Sequence, residues 1–234
     1  MTIKGVLFDF SGTLCRIEPV GDWLSAVLGE AGIDLPDAEL ADLTAQLTHA
    51  GAQPGGPEPQ QVPPHLKELW QTRDASAEQH RAAFTAMSRQ VALPDPALHD
   101  ALYNRHMTAA AWRPYPDAVE VLAELKSRGI ATGLISNIGW DTAPVVDAHG
   151  LGRHLDAATL SYQHEIQKPD PRLFLIACEA IGQDPRDVLM VGDDRRADSG
   201  ALDAGCAVHF VDHLPVTERP DGLRPVLGLV GATA

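Results

Sequence analysis

FDFSGTL, residues Phe8 to Leu14, closes a short apolar run that begins at Ile3. Strand-forming residues dominate this run, which predicts a buried strand that ends at Asp9. The Ser11-Gly12 pair that follows is a turn signal. A carboxylate and two hydroxyl side chains are therefore expected in the turn directly after a buried strand.

After Pro114 the sequence alternates between strand and helix patterns. Strands are predicted over residues 130–135, 157–160, 188–191 and 207–211, and helices over residues 117–128, 142–149, 171–181 and 198–204. This alternation is typical of an α/β fold with a doubly wound parallel sheet. In such sheets ligands bind beyond the carboxyl ends of the strands.

The stretch from Gly21 to Arg113 has a different character, because Ala, Leu, Glu, Gln and Arg dominate and no strand is predicted. Helices are expected near residues 23–28, 40–47, 65–71, 77–91 and 96–108, and the Pro- and Gly-rich residues 51–64 should form a mobile loop. We therefore expect a core domain of residues 1–18 and 114–234, with an inserted α-helical domain of residues 19–113.

The composition limits the kinds of partner that the protein is expected to bind. The 234 residues include 18 Lys and Arg against 32 Asp and Glu, a formal net charge of −14, and 44% are hydrophobic. Such an acidic chain is not expected to bind nucleic acid or an anionic membrane. The three cysteines have no paired spacing and no apolar run reaches the roughly 20 residues of a membrane span, which favours a cytoplasmic protein without disulfides. Nothing in the sequence indicates the oligomeric state.

Polar residues follow three of the predicted strands or precede the helix predicted at residues 171–181, and they should meet at one edge of the sheet. They are Asp9, Ser11, Gly12, Thr13, Ser136, Asn137, Lys168, Asp193, Asp194 and Asp198. Clustered carboxylates repel one another and favour a hard cation such as Mg²⁺. Because Lys168, the hydroxyls of Thr13 and Ser136 and the amides of the Ser11-Gly12 turn could hold phosphoryl oxygens, the pattern predicts a phosphoryl-transfer site.

Four motifs resemble those of the haloacid dehalogenase-like (HAD) superfamily, in the same order. They are FDFSGTL at residues 8–14, LISN at 134–137, QKPDPRLF at 167–174 and VGDDRRAD at 191–198. The resemblance covers about residues 1–20 and 114–213, and the helical stretch lies where subfamily I members carry their cap. It therefore implies an α-helical cap domain of residues 19–113, with hinges near residues 16–21 and 112–116, where the composition also changes. It implies that Asp9 is the nucleophile and forms an aspartyl-phosphate, with Lys168 as the second catalytic residue.

The resemblance also implies a metal site and a phosphate site. Mg²⁺ would be held by Asp9, Asp193 and the backbone carbonyl of Ser11, with Asp198 holding metal-bound water or the lysine and Asp194 sharing that duty. The phosphoryl group would be bound by Ser11, Gly12, Thr13, Ser136, Asn137 and Lys168. The expected substrate is a small phosphorylated metabolite.

Ser11 departs from the family pattern, because family phosphatases carry a second aspartate there as general acid and base. A serine hydroxyl cannot replace a carboxylic acid near pH 7, and the loss is worth a factor of about 10²–10⁴ in rate. Several interpretations stay open: a slow phosphatase, a phosphatase whose cap supplies the proton, or a phosphate-binding regulatory protein. A phosphonatase-like C–P hydrolase, with Lys67 as its Schiff-base lysine, is a further alternative.

Overall fold

A five-stranded parallel sheet forms the centre of the molecule in a computed structural model that describes residues 2–230. Its strands are β1 (Gly5–Phe8), β4 (Ala131–Ser136), β5 (Ala157–Leu160), β6 (Val188–Gly192) and β7 (Ala207–Phe210), and a separate pair of strands, β2 (Cys15–Ile17) and β3 (Trp112–Pro114), lies outside it. The order β5-β4-β1-β6-β7 makes β1 the central strand. All four pairings are parallel.

Helices cover both faces of the sheet. Those of the core are α6 (Ala118–Ser127), α7 (Ala143–Ala148), α8 (Ser161–His164), α9 (Pro171–Ala180), α10 (Gly200–Asp203) and α11 (Val226–Leu229). Side chains alternate along β1, so that Val6 and Phe8 join the apolar cluster under α6 and α7, and Leu7 joins the one under α9 and α10. The predicted doubly wound α/β sheet is confirmed, although the four-residue helices α8 and α11 were not predicted.

The strand order places the predicted site. Asp9 follows β1, Ser136 ends β4 and Asp193 follows β6, while β4 and β6 flank β1 on either side. Because all three strands are parallel, these residues leave the sheet at the same edge. The strand order also switches at β1, because β4 and β5 lie on one side of it and β6 and β7 on the other. Sheets of this kind bind ligands at the carboxyl edge beside such a switch point.

The insert between β2 and β3 is helical, with its own apolar interior. Its helices are α1 (Val20–Glu30), α2 (Asp37–Ala50), α3 (Lys67–Gln71), α4 (Ala77–Ser88) and α5 (Leu98–Arg105). Trp23, Leu47 and Leu102 are fully buried in one cluster of this insert, and Trp70 and Phe84 belong to a second. The amphipathic patterns that predicted these helices thus come from an interior separate from the sheet.

The sequence predicts no strand between Gly21 and Arg113, and the structure corrects this at the end of the stretch, because β3 begins at Trp112. β3 pairs antiparallel with β2, from Cys15 opposite Pro114 to Ile17 opposite Trp112. Strands of three residues, one of them ending in proline, are too short to show a two-residue period. The resulting ribbon overlaps the first residues of both segments where hinges were expected.

The loop of residues 51–64 is irregular, as predicted, but its first part is packed. Gly51 to Pro54 are buried, and the Gln53 side-chain amide donates to the Glu18 carbonyl at 3.1 Å. Cys15, Cys178 and Cys206 are buried free thiols. Within residues 2–230 no helix is both long enough and apolar enough to cross a membrane.

An ion pair ties the ribbon to the helical insert. Arg105, at the end of α5, donates to both carboxylate oxygens of Glu18 at 2.8 and 2.9 Å. The Glu18 side chain is buried, so this pair is shielded from solvent. A bidentate geometry of this kind fixes orientation as well as distance.

Replacing Glu18 by Ala should lower the free energy of unfolding by about 2–4 kcal/mol, because Arg105 would lose both acceptors in a poorly solvated position. Lys4→Ala is the matched control. It removes an exposed pair with Asp187 of 2.6 Å and should cost no more than about 1 kcal/mol. Urea unfolding of both variants measures the difference, and equal costs would show that the buried pair contributes no more than the exposed one.

Candidate active site

Asp9 is buried at the carboxyl end of β1, and its two carboxylate oxygens differ in their surroundings. Oδ1 accepts a hydrogen bond from the Ser136 hydroxyl at 3.0 Å and lies 3.0 Å from the Lys168 ammonium. Among residues 2–230, no donor lies within hydrogen-bond distance of Oδ2. The two contacts at Oδ1 therefore fix the position of the carboxylate, and Oδ2 is available for reaction or for a metal ion.

Lys168 is buried between two carboxylates. Its Nζ atom lies 2.6 Å from Oδ1 of Asp198 as well as 3.0 Å from Asp9. The Asn137 amide fixes the lysine backbone, because its oxygen accepts from the Lys168 N–H at 2.7 Å and its nitrogen donates to the Lys168 carbonyl at 2.9 Å. Both ends of the Asn137 side chain are thus engaged in joining two loops.

The cluster formed by Lys168, Asp9, Asp193 and Asp198 has more acidic than basic side chains. The pKa of Asp9 is raised to about 7, mainly because the carboxyl group is buried; Lys168 lowers it, and the carboxylates of Asp198 and Asp193 raise it. Burial alone would lower the pKa of Lys168, but Asp198 and Asp9 outweigh it and raise the pKa above its usual value. The lysine therefore stays charged, and three carboxylates share one buried cation.

Asp193 lies beside the turn that follows Asp9. The Thr13 hydroxyl donates to its Oδ1 at 2.9 Å, and Nδ1 of His213 contacts its Oδ2. Gly12 has a φ of +82°, and a Cβ atom there would lie 2.3 Å from Asp193 Oδ2. Only glycine allows this turn to approach the carboxylate so closely.

The two remaining acidic residues differ in role. Both oxygens of Asp198 are engaged, Oδ1 by Lys168 at 2.6 Å and Oδ2 by the Asp194 N–H at 3.0 Å. The Asp194 side chain is exposed, and its Oδ1 accepts from the backbone N–H groups of Arg196 and Ala197 at 2.8 and 2.9 Å. Asp194 therefore caps its own turn, while Asp198 holds the lysine.

A metal ion fits this donor set. Asp9, Asp193 and Asp198 each offer a carboxylate oxygen, and these atoms lie within 4.8 Å of one another. Hard oxygen donors without His or Cys favour Mg²⁺ over softer metals. A divalent cation would also neutralise the excess negative charge around Lys168.

Two further residues of the site, Arg219 and His213, lie outside the four sequence motifs. Buried Arg219 donates to the backbone carbonyls of Gly12, at 2.6 Å, and Thr13, and its guanidinium stacks on the ring of Tyr115. It holds the turn after Asp9 from the far end of the sequence. Since Arg219 and His213 lie beyond the last motif with no characteristic spacing, no sequence signal could have identified them.

A cavity of about 660 Å³ extends from Asp9 beneath the helical insert. Its aromatic lining comprises Trp70, Phe84, Trp112 and Trp140. Trp70 and Trp112 are buried and also face this cavity.

Two expectations from the sequence, one for Ser11 and one for Lys67, can be compared with the lining of this cavity. The Ser11 side chain lines it, and its hydroxyl faces the Gly55 carbonyl at 3.5 Å. Lys67, the lysine considered for phosphonatase chemistry, is exposed on α3 and does not line the cavity.

Known proteins resemble the chain in sequence over part of its length. A segment of 114 residues is 40% identical to the phosphoserine phosphatase of Thermus thermophilus and covers 47% of this chain and 42% of the relative. A segment of 146 residues is 34% identical to (S)-2-haloacid dehalogenase 4A of Burkholderia cepacia and covers 61% and 56% of the two chains. The matched segment thus spans about half the length of these relatives.

In fold, the resemblance extends over nearly the whole chain. The crystal structure of a dehalogenase superposes with a TM-score of 0.69 at 24% identity and covers 99% of this chain and 98% of the other. A family model of haloacid dehalogenase-like hydrolases matches residues 3–205. This match agrees with the family expected from the four motifs. The chain therefore belongs to the haloacid dehalogenase-like hydrolase family.

Proposed function

We propose that the protein is a Mg²⁺-dependent phosphatase of small phosphorylated metabolites, and that Asp9 is its nucleophile. The observation that carries this proposal is the asymmetry of the Asp9 carboxylate. One oxygen is fixed by Ser136 and Lys168, and the other is unpaired among the described residues. A buried carboxylate that is fixed in this way needs little reorganisation to attack phosphorus.

In the first step the unpaired oxygen of Asp9 attacks the phosphorus, and the bond to the leaving oxygen breaks. Lys168 and the Ser136 hydroxyl stabilise the negative charge on the phosphoryl oxygens, because they already lie at the attacking carboxylate. Water then attacks the phosphorus of the aspartyl-phosphate and regenerates Asp9. Gly12, Thr13 and Asn137 hold the two loops around this centre.

We assign the metal ligands to Asp9, Asp193 and the Ser11 carbonyl, with Asp198 holding Lys168. When bound, Mg²⁺ would offset the repulsion between the substrate phosphate and the acidic cluster. The names of relatives support hydrolysis in general, since one is a phosphoserine phosphatase and another a haloacid dehalogenase. The three-carboxylate cluster favours the phosphatase, because metal-dependent phosphoryl transfer uses a cation of the kind that these carboxylates could hold.

We also propose that residues 19–113 act as a cap domain on a core of residues 1–18 and 114–234. The supporting observations are the separate apolar interior of the insert and the β2–β3 ribbon that joins it to the core. The cap would exclude water from the cavity and select the substrate through its aromatic wall.

Asp9→Asn should abolish turnover of p-nitrophenyl phosphate, because an amide cannot act as the nucleophile. Wild-type turnover should require Mg²⁺ and stop when EDTA removes it. Release of nitrophenolate measures both effects. Undiminished activity in Asp9→Asn would refute the proposed nucleophile. A wild-type protein that binds phosphate without any metal-dependent turnover would instead be a phosphate-binding protein.

Asp193→Asn should raise the Mg²⁺ concentration needed for half-maximal activity by tenfold or more (about 1.4 kcal/mol), because a neutral amide is a weaker ligand than a carboxylate. Asp194→Asn is the matched control, since it removes the neighbouring charge but only caps a turn. Mg²⁺ titrations of both variants compare the two positions. Equal shifts would indicate a general charge effect rather than a ligand at position 193.

Without metal, Asp9→Asn should stabilise the protein at pH 8. The pKa of Asp9 is raised from 3.8 to about 7 in the folded state, so the contribution of Asp9 to stability is fully present below pH 3.8 and is lost as the pH rises through 7. The asparagine does not titrate, and its advantage should grow from pH 4 to pH 8 by roughly 1–4 kcal/mol. Urea unfolding in EDTA across this range measures it, and a pH-independent difference would contradict the raised pKa of Asp9 in the folded state.

A further inference from the structure

The proposed reaction needs a proton for the leaving oxygen, and Ser11 cannot supply it. Other titratable side chains that line the cavity are Glu58, Asp74, His80, Asp194 and His213, apart from the cluster around Lys168. Each can be judged by its exposure and by the partners it already has.

Four of these side chains are poor donors. Glu58 is 75% exposed, and Asp194 caps its own turn. His213 contacts Asp193 through one ring nitrogen and Arg16 through the other. Burial lowers the pKa of His80 well below its usual value, and the neighbouring His106 and Arg73 lower it further, so this imidazole stays neutral.

Asp74 is attached to the core although it belongs to the helical insert. Its backbone N–H donates to the Gln167 side-chain oxygen at 2.8 Å, and its carbonyl accepts from the Ser161 hydroxyl at 2.6 Å. The same hydroxyl accepts from the Ile138 N–H at 2.9 Å. Gln167 precedes Lys168, and Ile138 lies two residues after Ser136. The backbone of Asp74 is therefore fixed against both loops that surround Asp9.

The Asp74 carboxyl group has no hydrogen-bond donor within range among residues 2–230, although its side chain is only 9% exposed. Arg73 Nε and His80 Nε2 each lie 3.7 Å away, beyond a normal hydrogen bond. Burial raises the pKa of Asp74, opposed by Arg73 and Lys168 and reinforced by Glu58. Such a carboxyl group keeps its proton to higher pH than an exposed one.

We propose that Asp74 is the general acid and base of the reaction, in place of the aspartate that Ser11 replaces. The proposal rests on the phosphatase function proposed above. As Asp9 attacks phosphorus and the phosphorus–oxygen bond breaks, the leaving oxygen takes the proton of the Asp74 carboxyl group and departs as an alcohol. Water then attacks the aspartyl-phosphate, gives one proton to the Asp74 carboxylate and releases phosphate from Asp9. Both groups return to their starting states.

Leaving groups of different basicity test this role. For Asp74→Asn, kcat/KM should fall by about 10²–10⁴-fold with β-glycerol phosphate, whose alkoxide must be protonated. With p-nitrophenyl phosphate kcat/KM should change by less than about tenfold, because nitrophenolate leaves without a proton. Loss of the base should slow the second step for both substrates and produce a burst of nitrophenolate in the variant.

Asp100→Asn is the matched control, because it removes an exposed carboxylate of the same insert that pairs with Arg81. It should leave the ratio of the two kcat/KM values unchanged. Equal losses with both substrates in Asp74→Asn, or no loss with either, would overturn the role of Asp74 while leaving wild-type turnover intact. A selective loss in Glu58→Gln alone would assign the proton to Glu58.

Circular dichroism establishes whether Asp74→Asn is folded. If it is not, the wild-type enzyme still decides the question through a series of aryl and alkyl phosphates. A shallow dependence of kcat/KM on leaving-group pKa indicates an internal acid, and a steep dependence shows that none acts. Absence of any Mg²⁺-dependent turnover in the wild type would refute the phosphatase proposal itself, a result distinct from these.

Discussion

One buried lysine between two carboxylates organises this molecule. Lys168 pairs with Asp9 and Asp198 at the carboxyl edge of the sheet, where three acidic side chains would otherwise repel one another. Each carboxylate reaches the lysine from a different segment, so the cluster joins the chain after β1 to the loops before α9 and after β6. The same contacts leave one oxygen of Asp9 unpaired within the described chain, which is what a nucleophile requires.

The surroundings of this cluster are fixed from distant parts of the sequence. Arg219 holds the turn after Asp9 through backbone carbonyls, and Asn137 joins the loops that carry Ser136 and Lys168. The helical insert is attached through Glu18 and Arg105 on one side and through Gln167 and Ser161 on the other. Fixing a charged site from several directions reduces the reorganisation that a reaction would need.

The sequence predicted those features that repeat or that follow a buried strand. The strand before Asp9 and the alternation after Pro114 have clear periods, and the polar residues at the strand ends therefore converged as expected. The β2–β3 ribbon was not predicted, because a strand of three residues is too short to show a two-residue period. The roles of Arg219 and Asp74 were not predicted because they depend on long-range contacts. An arginine near the end of a chain, or an aspartate between helices, is ordinarily a solvated surface residue. That Asn137 binds phosphate stays a prediction, and in the structure its amide engages the Lys168 backbone at both ends.

The central claim is that Asp9 carries the phosphoryl group during turnover. The most direct measurement is to quench the wild-type enzyme during turnover of p-nitrophenyl phosphate with Mg²⁺, to reduce the acyl phosphate with borohydride, and to map the product by peptide mass spectrometry. Reduction of an aspartyl-phosphate produces homoserine, so this change is expected at position 9 alone. Turnover without modification at position 9, or with modification at another carboxylate, would rule out Asp9 as the residue that carries the phosphoryl group.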